Sequence, residues 1–354
     1  MKDITSKLWS KLFIIFIVIG IGIIAFLVIF VDPYFHFHAP NRHFYYHLEN
    51  QRSINYGIMK NFDYDGLITG TSMTENFKTS EADVLFNTKF IKVPFSGGSY
   101  KEMNDAVTYA ISNNPKIKTV IRGIDIGYFF DDKNHMRIDL GTYPTYLYDN
   151  NPFNDFNYIF NKDIFKKSLI IIKNFIRKQA GGVQTFDDYS NWMPYYTFGK
   201  ESVMKDVVFS SLQETKVLTE NEIQNIKESA KQNIMSLALE NPNITFYYFF
   251  TPYSIVWWGQ EFYNGNIERQ ISAEKIYIEE ILTVPNIKLY SFNDLFNITT
   301  NLNNYKDTTH YGEWINSDIL KYMSKGKGLL TPENYKEYLE REYNFYSTYK
   351  YSSL

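Results

Sequence analysis

From Leu12 to Val31 the chain reads LFIIFIVIGIGIIAFLVIFV, without one charged or amide side chain. A helix rising about 1.5 Å per residue needs roughly 20 such residues to cross a hydrocarbon core of about 30 Å. A secretory leader has a shorter apolar run, about 7–15 residues, ending at small residues. This run ends in VDPYFHFH, so it reads as an uncleaved anchor. Lys2, Lys7 and Lys11 precede it against Asp3 alone. Positive flanks stay cytoplasmic, which predicts a body after Val31 on the outer side. No second apolar run of spanning length follows.

The next stretch, DPYFHFHAPNRHFYYHLEN, holds His36, His38, His43 and His47, four of the six histidines. Alternate residues of a strand share a face, so an H-x-H pair can chelate a metal. No carboxylate or thiolate spacing completes such a site, and these rings also suit a membrane interface. We therefore expect no metal and no cofactor. The absence of cysteine excludes disulfides, thiolate metal sites and cysteine nucleophiles. A formal net charge of -3, with no long basic block, argues against nucleic acid as a partner. Aromatic residues make up 18% of the chain but are spread along it, together with abundant Ile, Asn and Lys. They read as compositional bias rather than a sugar-stacking platform.

Five short apolar runs, each ended by turn residues, predict strands: GLITG (66–70), KFIKVPF (89–95), TVIRGID (119–125), ITFYYFF (244–250) and NIKLYSF (286–292). Helical patterns lie between them. In SYKEMNDAVTYAISNNP, Ser99 and Glu102 stand in capping-box register and Met103, Ala106, Val107, Ala110 and Ile111 share one face. Thr219 and Glu222 repeat the device before a second helix that stops ahead of Pro242. Strands alternating with helices imply crossovers and a parallel sheet, an α/β class. Roughly 118 residues separate the third and fourth strands, far beyond an ordinary crossover. They read as an insertion at about 128–215, capping the strand ends. The Tyr-rich tail, 326–354, is expected to be helical and peripheral.

In an open parallel sheet, ligands sit beyond the carboxyl ends of the strands. Ser72 follows the first strand, Ser96-Gly97-Gly98-Ser99 the second, Arg122-Gly-Ile-Asp125 the third, and Asp307 and His310 come after the fifth. A serine hydroxyl needs a base, imidazole suits that task near neutral pH, and a carboxylate on its other nitrogen holds the ring. The D-x-x-H spacing lets Asp307 and His310 share one loop. Beyond the juxtamembrane stretch, only His135 and His310 are available as a base. Gly97 and Gly98 allow close backbone approach, so that N–H groups can face an oxyanion. Ser72 can instead be a helix cap, since Ser72 and Glu75 also form a capping-box pattern. Ser99 reads as a cap.

These blocks resemble the SGNH (GDSL-type) hydrolase superfamily. Gly70-Thr71-Ser72 stands where that superfamily has Gly-Asp-Ser, Gly97 matches its second-block glycine, and Asp307-Thr-Thr-His310 is its last block intact. The resemblance implies a three-layer α/β/α domain over 61–325 with strand order 2-1-3-4-5. Before it come a cytoplasmic tail (1–11), the transmembrane helix (12–31) and a juxtamembrane linker (32–60). It implies Ser72 as nucleophile, His310 as base, Asp307 as its orienter, and Gly97, Gly98 and Asp125 at the oxyanion or substrate. The third block departs from the pattern: Gly123-Ile124-Asp125-Ile126 replaces Gly-x-Asn-Asp, placing Asp125 or Ile124 where an asparagine donates. With its tether the layout resembles the envelope-facing branch, which includes teichoic-acid D-alanyl transfer proteins and polysaccharide O-acetyltransferases. Implied are acetyl or D-alanyl esters of a cell-envelope polymer as substrate and a membrane-bound acyl-donor protein as partner. Esterase and transferase stay open, as do a non-catalytic glycan- or partner-binding module and a lipid-directed esterase.

Overall fold

Gly66–Gly70 (β1), Phe90–Pro94 (β2), Thr119–Ile124 (β3), Thr245–Phe250 (β4) and Ile287–Tyr290 (β5) pair in one sheet in the computed structural model, which describes residues 2–139, 143–149 and 151–354. Met1, Leu140–Thr142 and Asn150, which fall in the expected tail and insertion, lie outside the described residues. Every pairing in the sheet is parallel and the order is β2-β1-β3-β4-β5. The protein is thus mixed α/β, with a five-stranded parallel sheet and one N-terminal apolar helix. β1, β2 and β3 are buried along their whole length, which is why they read as continuous apolar runs rather than alternating ones.

The chain divides into two compact units, 63–141 with 185–354, and 1–62 with 142–184. In the first, Thr79–Phe86 links β1 to β2 and Tyr100–Asn113 links β2 to β3. Ser99 and Glu102 form the expected capping box, as do Thr219 and Glu222 at the head of Glu220–Ala230. That second helix widens to a π turn at Lys231–Met235. The fully buried Arg122 of β3 donates to Asn233 O within that turn at 2.7 Å and to Tyr100 O at 2.9 Å. The tail is helical over Tyr335–Thr348 but not peripheral: Tyr338, Glu342 and Tyr346 are at most 2% exposed.

The second unit contains the helix Lys2–Val31, whose segment Ser6–Val31 is long and apolar enough to cross a membrane. Just past it, Asp32 takes a positive φ of 47° and its carboxylate accepts the N–H groups of His36, Phe37 and His38 and the Tyr158 hydroxyl. The two histidines of the H-x-H pair are engaged separately. His36 meets Asp155 at 2.8 Å, whereas His38 contacts Ala39 O and Ile29 O. Tyr45–Tyr46 pairs in parallel with Gly182–Val183, and the helices Gln51–Asn61 and Lys162–Ile176 complete the unit. The span 128–215, expected as one cap, is therefore divided. Residues 142–184 associate with the N-terminal segment, and 185–215 with the sheet.

Candidate active site

β1 ends at Gly70, whose φ of +152° is open to glycine alone; a Cβ there would also lie 2.4 Å from Thr74 Cγ2. The chain then makes a short 3-10 turn, Ser72–Thr74. Thr71, not Ser72, caps it: Thr71 Oγ1 accepts the Met73 N–H at 3.3 Å and donates to Asp125 Oδ2 at 2.8 Å. With the cap supplied by its neighbour, the Ser72 hydroxyl is left for another partner. It lies 2.7 Å from His310 Nε2.

The turn is fastened from several directions. Trp192 Nε1 donates to Ser72 O at 3.2 Å, and Asn316 Nδ2 to Met73 O at 2.9 Å. Lys92, buried in β2, donates through Nζ to Glu75 O and, at 2.9 Å, to Phe77 O. Burial pulls the Lys92 ammonium down to about 7.

At the other end of the relay, His310 Nδ1 lies 2.8 Å from Asp307 Oδ2 and 3.0 Å from Oδ1. The same carboxylate accepts the backbone N–H groups of Thr309 at 2.9 Å and His310 at 2.8 Å. Burial pushes the Asp307 carboxyl up, but the His310 hydrogen bond and charge and the two backbone donors outweigh it. The group is held well below the usual carboxylate range. Asp307 therefore stays ionised and can fix the imidazole with Nδ1 protonated and Nε2 facing Ser72. A hydroxyl, an imidazole and a carboxylate in this order are an arrangement that can activate a serine.

Two groups not singled out by residue spacing stand beside the relay. The Trp192 indole meets the His310 ring edge-on at 5.7 Å. Lys306 Nζ lies 3.4 Å from Asp307 Oδ2 and stacks over Tyr196 at 3.8 Å and Trp192 at 4.7 Å. Trp192 stands in a polar and aromatic stretch, GGVQTFDDYSNWMPYYTFG, and its pairing with a ring far along the chain has no local signal.

The expected oxyanion residues have different roles. Asp125 is 2% exposed, with one oxygen taken by the Thr71 hydroxyl and the other by Tyr253 OH at 2.9 Å. Burial pushes its carboxyl up. It supports the Ser72 turn through Thr71. The Gly98 N–H closes a tight turn onto Phe95 O at 2.7 Å. Gly97, in the same turn, has φ +58°, and a Cβ there would fall 1.8 Å from Arg137 Nη1. Among the described residues no protein acceptor takes the N–H of Ser72 or of Gly97. Both follow paired strands, since Gly70 stands opposite Pro94 in the sheet. Ser99 is the cap of Tyr100–Asn113, and Ser96 O accepts Arg137 Nη1 at 3.1 Å.

A cavity of about 350 Å³ includes no residue of the relay. It lies in the other unit, against Pro33, Tyr34, His47, Glu49 and Lys167. Hydrogen-bond geometry and side-chain chemistry, rather than cavity size, single out the Ser72 site. Among the described residues no cluster of metal-ligating side chains gathers. Comparison with protein-family models, with curated proteins and with solved structures finds no match to this chain.

Proposed function

We propose that this protein is a membrane-tethered serine acyl hydrolase or acyltransferase, acting on acetyl or D-alanyl esters of a cell-envelope polymer. One observation carries the chemistry: Ser72 Oγ, His310 Nε2 and Nδ1, and Asp307 Oδ2 follow one another at 2.7 and 2.8 Å. In the proposed reaction the Ser72 proton passes to His310 Nε2 as Oγ attacks the ester carbonyl. The tetrahedral oxyanion faces backbone N–H donors, for which Ser72 and Gly97 are the candidates. Collapse expels the alcohol, which takes the proton from His310 and leaves an acyl-Ser72 ester. Water or a sugar hydroxyl, deprotonated by His310, then releases the acyl group.

Support for the SGNH resemblance comes from the parallel sheet, its order, and the seating of Ser72, Gly97 and Asp307–His310 beyond strand ends. The apolar span Ser6–Val31 supports the tether, and Lys7 and Lys11 support a cytoplasmic N-terminal end. A membrane-bound acyl donor is the partner this layout invites. A second function, a non-catalytic glycan- or partner-binding module, is favoured by Asp125: a carboxylate already accepting two hydroxyls stands near where an asparagine donor is expected.

Detergent-solubilised full-length protein should hydrolyse a small aryl acetate, and Ser72→Ala should reduce turnover to background. Equal turnover by both proteins would remove Ser72 from the chemistry. Tight glycan binding without turnover in either would favour the module.

A further inference from the structure

We infer that Lys162–Ile176 is an in-plane membrane helix whose apolar stripe dips into an anionic lipid surface beside the N-terminal span. The inference rests on the membrane tether proposed above. Ile164, Ser168 and Ile171 are the face of this helix that is buried against protein. Phe165, Leu169, Ile172 and Ile176 recur at spacings of four, three and four, so they share a second face at about 100° per residue. That face is covered in part: Phe165 and Ile172 are half-buried, whereas Leu169 is 44% exposed and Ile176 73%. A soluble helix carries polar residues there.

Charge borders the stripe. Lys162, Lys166 and Lys173 lie about 70° round the helix from it, by 3.6-residue geometry, and Arg177 and Lys178 follow at its end. An apolar stripe edged by lysines, whose stems lie along the apolar boundary while the ammonium reaches headgroups, is the pattern of an interfacial helix. Acidic headgroups complement these cations.

Continuity with the span supplies the depth. Phe175 meets Phe44 edge-on at 5.5 Å, and Phe44 meets Phe30 at 5.7 Å. Phe30 lies one residue from the end of Ser6–Val31. The 20 residues of Leu12–Val31, about 30 Å of helix, match the hydrocarbon core, with Lys7 and Lys11 on its other side. The last turn of this helix, and what is packed there, therefore stands at headgroup level. Phe156 and Phe160, 57% and 50% exposed, precede the helix in the same unit.

The chain has no cysteine, so single-cysteine variants can carry an environment-sensitive fluorophore without background. The full chain would be reconstituted in phosphatidylcholine vesicles containing phosphatidylglycerol and a lipid-borne quencher. Labels at Leu169→Cys and Ile176→Cys should be blue-shifted and quenched, like one at Ile19→Cys within the span. A label at Asp163→Cys should stay aqueous. Adding Lys166→Glu and Lys173→Glu should lower quenching at 169 and 176 by about twofold. Aqueous labels at 169 and 176 beside a quenched label at 19 would overturn the inference and leave the tether standing. An aqueous label at 19 would overturn both. Mutual quenching between labels, without lipid contact, would assign the stripe to a second copy of the chain and overturn the lipid surface.

Discussion

The two ends of the Ser72–His310 relay are held in opposite ways. The Ser72 turn, 70–77, is fixed by the body of the fold: a positive-φ glycine, Thr71 on buried Asp125, Lys92 from β2, and Asn316 from the helix Glu313–Ser324. The segment 306–310 has one anchor from outside, buried Ser254, whose N–H and hydroxyl both donate to Thr308 O at 3.1 and 2.7 Å, and is otherwise held by itself. Asp307 gathers its own loop N–H groups and the His310 ring, and its side chain is 42% exposed. Strain and buried polar contacts place Ser72, whereas the His310 ring is oriented by one half-exposed carboxylate on a loop with a single outside anchor. Substitutions that remove a fastening of the first end should therefore cost stability and activity together; those at the second should cost mainly activity.

The largest effect tests the premise of that contrast. Ser72→Ala should lower turnover roughly 10⁴-fold or more, with an unchanged melting temperature, because the turn's fastenings do not use its hydroxyl. Asp307→Asn should lower kcat about 10²–10⁴-fold by spoiling the tautomer, while its unfolding midpoint in denaturant falls less than that of Gly70→Ala, because solvent screens the half-exposed carboxylate. A large loss of stability in that variant would erase the distinction between the two ends. Gly70→Ala should show the other behaviour. A positive φ and the Thr74 contact make a cost of roughly 2–4 kcal/mol, read by denaturant unfolding, alongside weakened activity.

Smaller effects sharpen the picture. Lys306→Met removes the cation between Asp307 and the Trp192–Tyr196 rings, and should reduce kcat about threefold to tenfold without lowering stability. The mildest expected change concerns the buried body itself. Glu274 and Glu342 are both fully buried, and no Lys or Arg pairs with either among the described residues. Burial pushes Glu274 up to about 7 and raises Glu342 as well, the latter helped by the Glu274 charge. A carboxyl raised in the folded state stabilises fully below its unfolded pKa, about 4.3, and this is lost as pH rises through the folded value. Their contribution to the melting temperature should fall between about pH 4.3 and 7, and Glu342→Gln should flatten that slope. A parent whose slope is unaffected by the substitution would show that the pair does not titrate there.

What the sequence made legible follows the same division. All five strands lie within two residues of the expected runs, because buried parallel strands are short apolar blocks with turn residues at both ends. Asp307 and His310 were legible because three residues of local spacing suffice to join them. Both capping boxes were legible for the same reason. Thr71 as the cap in place of Ser72 was not, since both side chains can cap and the choice depends on Asp125, 54 residues away. Nor was the packing of Trp192 on His310, or the buried setting of the tail helix, whose Tyr338 and Glu342 look like surface residues by type. The divided insertion escaped notice because a long insertion carries no mark of which strands or helices it will join. The partners of Lys92 and Arg122, polar residues within buried strands, are backbone carbonyls that no side-chain pattern announces.

A fluorophosphonate probe read by intact mass tests the central claim most directly, since it reports an activated serine whatever the acyl substrate. Folded full-length protein should gain one adduct, mapped to Ser72 by peptide fragmentation, and Ser72→Ala should gain none. His310→Ala should react far more slowly. An unmodified native protein, or an adduct that persists in Ser72→Ala, would contradict the relay.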